Sequence, residues 1–294
     1  MQLPIEYLST FTAIVREGSF EGAARALRVT PSAISQRVRL MEERVGSVLL
    51  QRSRPVAVTE AGAAVLRAAR QVDRVVDDVA RELGEGSARG AVVPIVVNAD
   101  SLATWFMPAL ASAAEQTGAR FEVLRADGTI STEQLRRGAA MAAVTATRAA
   151  VPGCASTRLG RMRYRAVATP EFVGRYFSEG VTPSALGAAP MLEFDRHDVF
   201  QQRFVKRITR ATIDPPRHFV PSSTEFARAI ELGMGWGMLP SAQCDAHLAD
   251  GRLVQLGTDS SVLLTLYWQR WNLSSPVLDA LSSIMLETAA AALE

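Results

Sequence analysis

The stretch TPSAISQRVRLMEERVG at residues 30–46, followed by LLQRSRPVAVTEAG at 49–62, decides the fold of the N-terminal part of this 294-residue chain. Thr30 is placed to cap a helix whose first position is Pro31, where the missing N–H costs nothing. Ile34, Val38, Met41 and Val45 recur at helical spacing and form its inner face. That period turns Ser32, Ser35, Gln36 and Arg39 outward near the start of the helix. Small hydroxyls, an amide and a guanidinium are the groups that meet base edges and phosphates in a major groove.

Two shorter helical patterns precede this one. In IEYLSTFTAIVREG, residues 5–18, the apolar residues Ile5, Leu8, Phe11, Ile14 and Val15 are helically spaced and Gly18 ends the run. Ser19 then caps SFEGAARAL, with Phe20, Ala23, Ala24 and Leu27 facing the first helix. After the third helix, Arg52 and Arg54 flank a short turn before Pro55 and the alternating Val56 and Val58, which reads as a two-stranded wing. A helix-turn-helix with a basic wing and an exit helix is a device for reading DNA. Charge supports it: positions 25–54 hold Arg25, Arg28, Arg37, Arg39, Arg44, Arg52 and Arg54 against Glu42 and Glu43, in a chain whose formal net charge is only +2. A field so concentrated suits phosphate binding by counterion release, and the expected DNA-contacting set is Thr30, Ser32, Ser35, Gln36, Arg37, Arg39, Arg52 and Arg54. An arginine at a wing tip commonly enters the minor groove or touches phosphate.

The arrangement FTAIVREGSFEGAARALRVTPSAISQRVRLMEERVGSVLLQR with VTEAG resembles the winged helix-turn-helix of LysR-type transcriptional regulators, and the likeness extends over the whole chain. Within that family, NADSLATWF at 98–106, LRRG at 135–138, GWGMLP at 235–240 and YWQRW at 267–271 resemble the LysG/ArgP branch, regulators of lysine and arginine export. The resemblance implies a multidomain α+β and α/β protein. Its parts are a winged helix-turn-helix at 1–58, a linker helix and hinge at 59–90, and an effector-binding domain at 91–294, two-lobed and similar to type 2 periplasmic binding proteins. Lobe I is expected at about 91–163 and 264–294, lobe II at about 164–263, with the ligand between them.

The residues themselves carry much of this. From Thr59 to Leu83 the chain reads as one long helix with a seam of Ala69, Val72, Val76, Val79 and Leu83, while Arg67, Arg70, Arg74, Asp77, Asp78, Arg81 and Glu82 mostly take the other faces. Such a stripe either lies on its own domain or pairs with a second subunit; the resemblance favours pairing, in a homodimer or homotetramer. GEGSARG at 84–90 is a small flexible hinge. Beyond it, AVVPIVVNA, ARFEVLRA and AAMAAVTA read as strands alternating with the helices DSLATWFMPALASAAEQTG and STEQLRRG, the order of a parallel α/β sheet. Further strand and helix signals follow in RAVATP, TPSALGAAPMLEF, RHFVPSS and TEFARAIELGMGWGMLP.

In open α/β sheets ligands sit beyond the carboxyl ends of strands, at helix N-termini. Asp100 and Ser101 follow the first strand directly, so Ser101 is placed to hold a carboxylate while Asp100 faces an ammonium; helix capping accounts for the two equally well. Thr145 and Thr147 end the third strand, and Ser222 with Ser223 precede a helix, adding hydroxyls. Trp105 is a cleft wall or a core residue, and Asp127 and Asp198 are carboxylates for a cationic side chain or solvated surface. By resemblance, Leu102 and these residues line the effector site. Relatives in the export branch are more acidic after the second strand, where this chain reads RADGTI. The resemblance implies L-lysine or L-arginine as the effector, and the loss of negative charge in this stretch points instead to a neutral amino acid or another carboxylate.

Enzymatic readings find no support in the sequence. There is no metal-spaced His or Cys cluster, no phosphate loop and no nucleophile motif, and the glycines at 233, 235 and 237 follow a helix and precede a strand, the reverse of a dinucleotide fingerprint. No cofactor or metal is expected. Cys154 and Cys244 lie far apart, no signal segment or membrane span is apparent, and the expected location is cytoplasmic. The expected partners are double-stranded promoter DNA, RNA polymerase and a small-molecule effector, with no membrane. An architectural DNA-binding protein without an effector, or a regulator of another metabolic pathway, are the competing readings.

Overall fold

The computed structural model describes residues 3–51, 53–82, 92–126, 129–210, 212–257 and 261–294. The head is built from α1 (Ile5–Glu17), α2 (Phe20–Leu27) and α3 (Pro31–Val45), then the strands β1 (Leu50–Gln51) and β2 (Ala57–Val58), and α4 (Glu60–Glu82) leaves it. Local chemistry sets each boundary. Gly18 and Gly46 end α1 and α3 in the left-handed region, Ser19 Oγ accepts from Gly22 N at 3.0 Å, and Thr30 Oγ1 accepts from Ala33 N at 3.2 Å. The wing pairs antiparallel, Leu50 with Val58 and Gln51 with Ala57. Glu42 of α3 ties it down, its Oε1 accepting from Leu49 N at 2.8 Å and Leu50 N at 3.4 Å.

One buried core joins these parts: Phe11, Ile14, Ala23, Ile34, Met41 and Leu49, together with Val65, Leu66 and Ala69 of α4. Helix α4 crosses the wing so closely that a Cβ on Gly62 would lie 2.0 Å from Leu49 O. The first half of α4 is thereby part of the head.

The α/β part continues with β3 (Val92–Val97), α5 (Ala99–Ser101), a π-helical turn (Leu102–Phe106), α6 (Met107–Thr117), β4 (Arg120–Arg125), α7 (Thr129–Arg136), β5 (Ala142–Thr145) and β6 (Cys154–Ala168). Next come α8 (Pro170–Tyr176), α9 (Pro183–Ala188), β7 (Met191–Glu193), α10 (Phe200–Ile208), β8 (Arg217–Phe219), α11 (Ser223–Glu231), β9 (Gly237–Pro240), α12 (Ser241–Ala249), β10 (Val254–Gln255), β11 (Val262–Trp271) and α13 (Pro276–Ala292). The chain forms two compact units. One comprises Met1–Val97, Ser112–Ser156 and Gln269–Ser283, the other Asn98–Ala111, Thr157–Trp268 and Ile284–Glu294. The second unit thus draws on three separate stretches of chain, and the first unit combines the head with part of the α/β region.

In the first unit β3 pairs parallel with β4, Val92 opposite Arg120 and Val97 opposite Arg125, and parallel with β5 on its other edge. Val96, Leu135, Ala140, Ala143 and Val151 pack beside it. In the second unit β6 pairs antiparallel with β9, Tyr164 opposite Pro240 and Val167 opposite Gly237, and with β10 at its end. Strands β7 and β8 run parallel, and Val167, Leu192, Phe226, Ile230, Leu239 and Cys244 form the core there. The helix expected over 100–118 is broken by its five-residue π turn, a device that recurs at functional sites.

The charged face of α4 departs from expectation. Arg74 and Asp78, read as lying off the apolar seam, are buried and ion-paired with each other. Arg70 donates to Gly138 O, and Arg67 to Arg136 O at 3.5 Å, so this face of α4 lies on the end of α7. Gly138, at φ +70°, makes the approach feasible, since a Cβ there would lie 2.8 Å from Arg67 Cα. Burial pushes the Arg70 guanidinium below its ordinary pKa, against the neighbouring carboxylates of Glu122 and Asp73.

Candidate DNA-reading surface and effector site

On α3 the structure leaves Ser32, Ser35, Gln36 and Arg39 exposed along one face, with Thr30 spent on the cap and bonded to Ser32 Oγ at 2.9 Å. Arg39 meets Glu43 at 2.9 Å in a fully solvated pair, which competes weakly with a phosphate. Arg54 is exposed at the wing, while Arg52 lies outside the described residues. Arg37, counted with the reading set in the sequence, turns the other way: its Nη1 donates to Thr10 Oγ1 at 3.1 Å and its Nη2 to Glu6 at 3.3 Å. At three residues from Ile34 and four from Met41 it borders the inner face, and it holds α3 on α1. Arg44 lies over the Tyr7 ring at 5.4 Å.

The α4 seam divides. Ala69 is fully buried in the head core and Val72 packs against it, whereas Val76 and Val79 are 52% and 49% exposed, next to the exposed Val75. Leu83 lies outside the described residues.

In the second unit the end of β3 leads straight into a polar cluster. Asp100 Oδ2 accepts from the Tyr164 hydroxyl at 2.6 Å and Oδ1 from Ser223 Oγ at 2.7 Å. Gln243 Nε2 donates to Ser223 Oγ at 3.2 Å, so the serine passes its own hydrogen to the carboxylate while receiving one. Tyr164 is buried on β6, Ser223 opens α11 and Gln243 lies on α12. Along the neighbouring segment, Asn98 Oδ1, Ser101 Oγ and Trp105 Nε1 are buried and have no hydrogen-bond partner among the described residues. Positions 98, 101 and 105 share a helical face, and the π turn begins immediately after Ser101. Buried polar atoms left unpaired cost about 1–3 kcal/mol each, and a group of them beside a carboxylate is what a polar ligand would satisfy.

The other candidates are placed separately. Leu102 begins the π turn, half-buried. Asp198 is engaged locally, accepting from Phe194 N at 2.9 Å and Phe200 N at 3.0 Å, so it shapes the entry to α10. Ser222 caps α11, accepting from Glu225 N at 3.5 Å. Thr145 and Thr147 belong to the first unit, where Thr145 Oγ1 accepts from Thr147 N at 3.1 Å. The loop after them is pinned by buried Gln269, whose Nε2 donates to Thr147 O and Ala149 O, each at 2.9 Å, while its Oε1 accepts from Val151 N at 3.0 Å. Asp127 lies outside the described residues. Sequence reasoning missed Asn98, Tyr164 and Gln243; the first alone had a signal, standing one residue past a buried strand.

A cavity of about 470 Å³ lined by Thr169, Glu171, Phe172, Arg175, Leu232 and Met234 contains none of these residues and holds no comparable set of unpaired polar atoms. Among the described residues no group of three or more His, Cys, Asp or Glu side chains is disposed to hold a metal ion, and no helix is long and apolar enough to cross a membrane. Cys244 is buried, and desolvation with Asp245 nearby pushes its thiol up to about 12, which leaves it inert.

A winged head that reads DNA, followed by a linker helix and a two-lobed α/β domain, defines a transcriptional regulator with a sensory domain. The family model for the bacterial regulatory helix-turn-helix protein, lysR family, matches residues 5–63, and that for the LysR substrate binding domain matches 91–290. The chain belongs to the LysR family of bacterial DNA-binding transcriptional regulators and is not an enzyme. Within it, the chain is similar to the LysG/ArgP branch. HTH-type transcriptional regulator LysG of Mycobacterium tuberculosis is 40% identical over 278 residues, 94% of this chain and 90% of the relative. The crystal structure of ArgP from Mycobacterium tuberculosis superposes with a TM-score of 0.91 at 39% identity, covering 100% of this chain and 99% of that one. Full-length LysG from Corynebacterium glutamicum with bound effector Arg gives a TM-score of 0.84 at 34% identity, covering 99% of each chain.

Proposed function

We propose that this protein regulates an amino acid export gene in response to L-lysine or L-arginine bound beside Asp100. The observation that carries the reading is the pairing of a carboxylate, held by Tyr164 and Ser223, with the unpaired buried atoms of Asn98, Ser101 and Trp105. An amino acid presents an ammonium for the first and a carboxylate for donors such as the Ser101 hydroxyl and the Trp105 N–H. The Corynebacterium glutamicum relative solved with Arg supports the same class of ligand.

The head then contributes Ser32, Ser35, Gln36 and Arg39 to one major groove, with Arg52 and Arg54 reaching phosphate or the minor groove from the wing. Val76 and Val79, with Leu83, pair α4 with a second copy, bringing two heads to an inverted repeat in a homodimer or homotetramer. A ligand that binds one arrangement of the assembly better than another shifts how promoter DNA is held and presented to RNA polymerase.

The test is fluorescence anisotropy on the intergenic DNA beside this gene, titrated with salt, with and without lysine and arginine, for the native chain and for Ser101→Ala. Specific, salt-sensitive binding that either amino acid alters in the native chain and not in the variant supports the reading. Specific binding indifferent to both amino acids refutes this effector class, and binding no tighter than to random DNA refutes regulation at that site.

A further inference from the structure

The second unit carries a basic surface of its own. Residues 199–213 hold Arg203, Lys206, Arg207 and Arg210 and no acidic residue, in a chain of net charge +2. Spacings of three and four put Arg203, Lys206 and Arg207 on one side of α10, Arg210 follows two residues past its end, and all four are exposed, whereas Gln201, Phe204 and Val205 on the opposite side of the helix are buried. Among the described residues none of the four is ion-paired. Arg203 lies over the Phe200 ring at 5.7 Å, and Arg207 Nη1 donates to Ser261 O at 2.7 Å.

A second row meets this one. On β6, Arg161, Arg163 and Arg165 alternate outward while Met162 and Tyr164 are buried, and Arg163 Nη1 donates to Ser261 Oγ at 3.0 Å, the residue whose carbonyl Arg207 holds. Glu294 and Asp245 pair with Arg163 and Arg165 at 2.8 and 2.9 Å, so the β6 row is largely neutralised and the α10 row is not.

We infer that the outer face of α10 with the segment that follows it, through Arg203, Lys206 and Arg210, is a second DNA-contacting surface that grips the phosphate backbone of duplex flanking the sites read by the heads. The cations on the helix span about 6 Å, the axial rise of about two phosphates of one strand, and Arg210 lies beyond them. A protein partner would want apolar or aromatic anchors among the charges, and a membrane would want an apolar edge; here the apolar residues of α10 face inward. Phe200, which opens α10, stacks on Tyr164 at 4.3 Å, and Tyr164 donates to Asp100, so the surface is tied by packed side chains to the proposed effector site. Effector binding is then expected to alter this grip.

The inference rests on the DNA-binding reading, and the test separates the two. The full-length chain and the variant Arg203→Gln, Lys206→Gln, Arg210→Gln are titrated with salt against a short fragment covering only the head sites and a long fragment with flanking duplex. Arg207 is left in place because it holds Ser261. Each phosphate neutralised contributes about 0.9 to the slope of log affinity against log salt. The native chain is expected to show a slope steeper by about two to three on the long fragment than on the short one, and the variant the same slope on both. Equal native slopes on the two fragments, or a variant that keeps the native slope on the long one, overturn the inference. A variant unchanged on DNA but impaired in binding RNA polymerase also overturns it, assigning the surface to the polymerase. Loss of specific native binding to the short fragment would instead strike the DNA-binding reading itself.

Discussion

Replacing Asp100 by Asn tests the proposed effector chemistry most directly. The carboxylate accepts from Tyr164 at 2.6 Å and Ser223 at 2.7 Å, and an amide of the same shape can accept only one of those hydrogens without turning its NH2 toward the other donor. The main loss is the charge. Two unit charges about 4 Å apart interact by about 4 kcal/mol at an effective permittivity of about 20. Asp100 is partly exposed, so about 2–3 kcal/mol is a fair share, a fall in affinity of about 30- to 150-fold. Calorimetric titration with L-lysine, L-arginine, L-norleucine and L-citrulline locates the cation. If Asp100 faces the α-ammonium, all four weaken by the same factor; if it faces the side chain, lysine and arginine weaken and the neutral pair does not. An unchanged melting temperature for the unliganded variant secures the fold. Affinities for all four ligands within twofold of the native protein would refute the reasoning.

Three further outcomes follow from the same geometry. Gly138→Ala should destabilise by about 2–4 kcal/mol in chemical denaturation, adding a collision with α4 to backbone strain, whereas Gly118→Ala, at φ +64° in open space, should cost only about 1–2 kcal/mol; equal losses would show that α4 does not press on Gly138. Glu193 is 4% exposed, and burial raises its carboxyl pKa despite Arg217 at 3.7 Å. A raised carboxyl favours the folded state at low pH, so this contribution is complete below the ordinary Glu value of 4.5 and is lost as pH rises through the folded value. Glu193→Gln should therefore flatten the fall in melting temperature from acid toward neutral pH, and an unaltered profile would contradict it. In the head, Arg37→Met should lower stability by about 1–2 kcal/mol and leave the salt slope of DNA binding alone, while Arg39→Ala should spare stability and reduce that slope by about one.

What was legible in the sequence divides along physical lines. The head could be read because its signals are local: Ser19 and Thr30 cap, Pro31 opens a helix, and Gly18 closes the first, each acting within a few residues. Arg37 was misplaced because a helical wheel separates apolar from polar residues, and a long arginine at the border can reach inward when Glu6 and Thr10 wait there. Arg74 and Asp78 eluded the same logic: they are buried as an ion pair, and their neighbours on that face, Arg67 and Arg70, bond to residues nearly seventy positions away.

The effector site shows where such reading stops. Asp100 and Ser101 were accessible through a rule about strand ends, but nothing near Tyr164 or Gln243 marks them. Their meeting depends on register: β6 and β9 pair so that Tyr164 stands opposite Pro240, and α12 begins at the next residue, which carries Gln243 to Ser223 and Ser223 to Asp100. A slip of two residues in that pairing would preserve every buried position of β6, yet bring Met162 or Ala166 opposite Pro240 and leave the carboxylate without its tyrosine. Hydrophobic pattern alone therefore leaves the slipped pairing open, and the hydrogen bonds of Asp100 supply part of the preference for the native one. The same groups that are proposed to receive the effector also help to fix the strand register. Substitution of Tyr164 should accordingly weaken ligand binding and the packing of Phe200 together, and a variant that moved one without the other would separate the two roles.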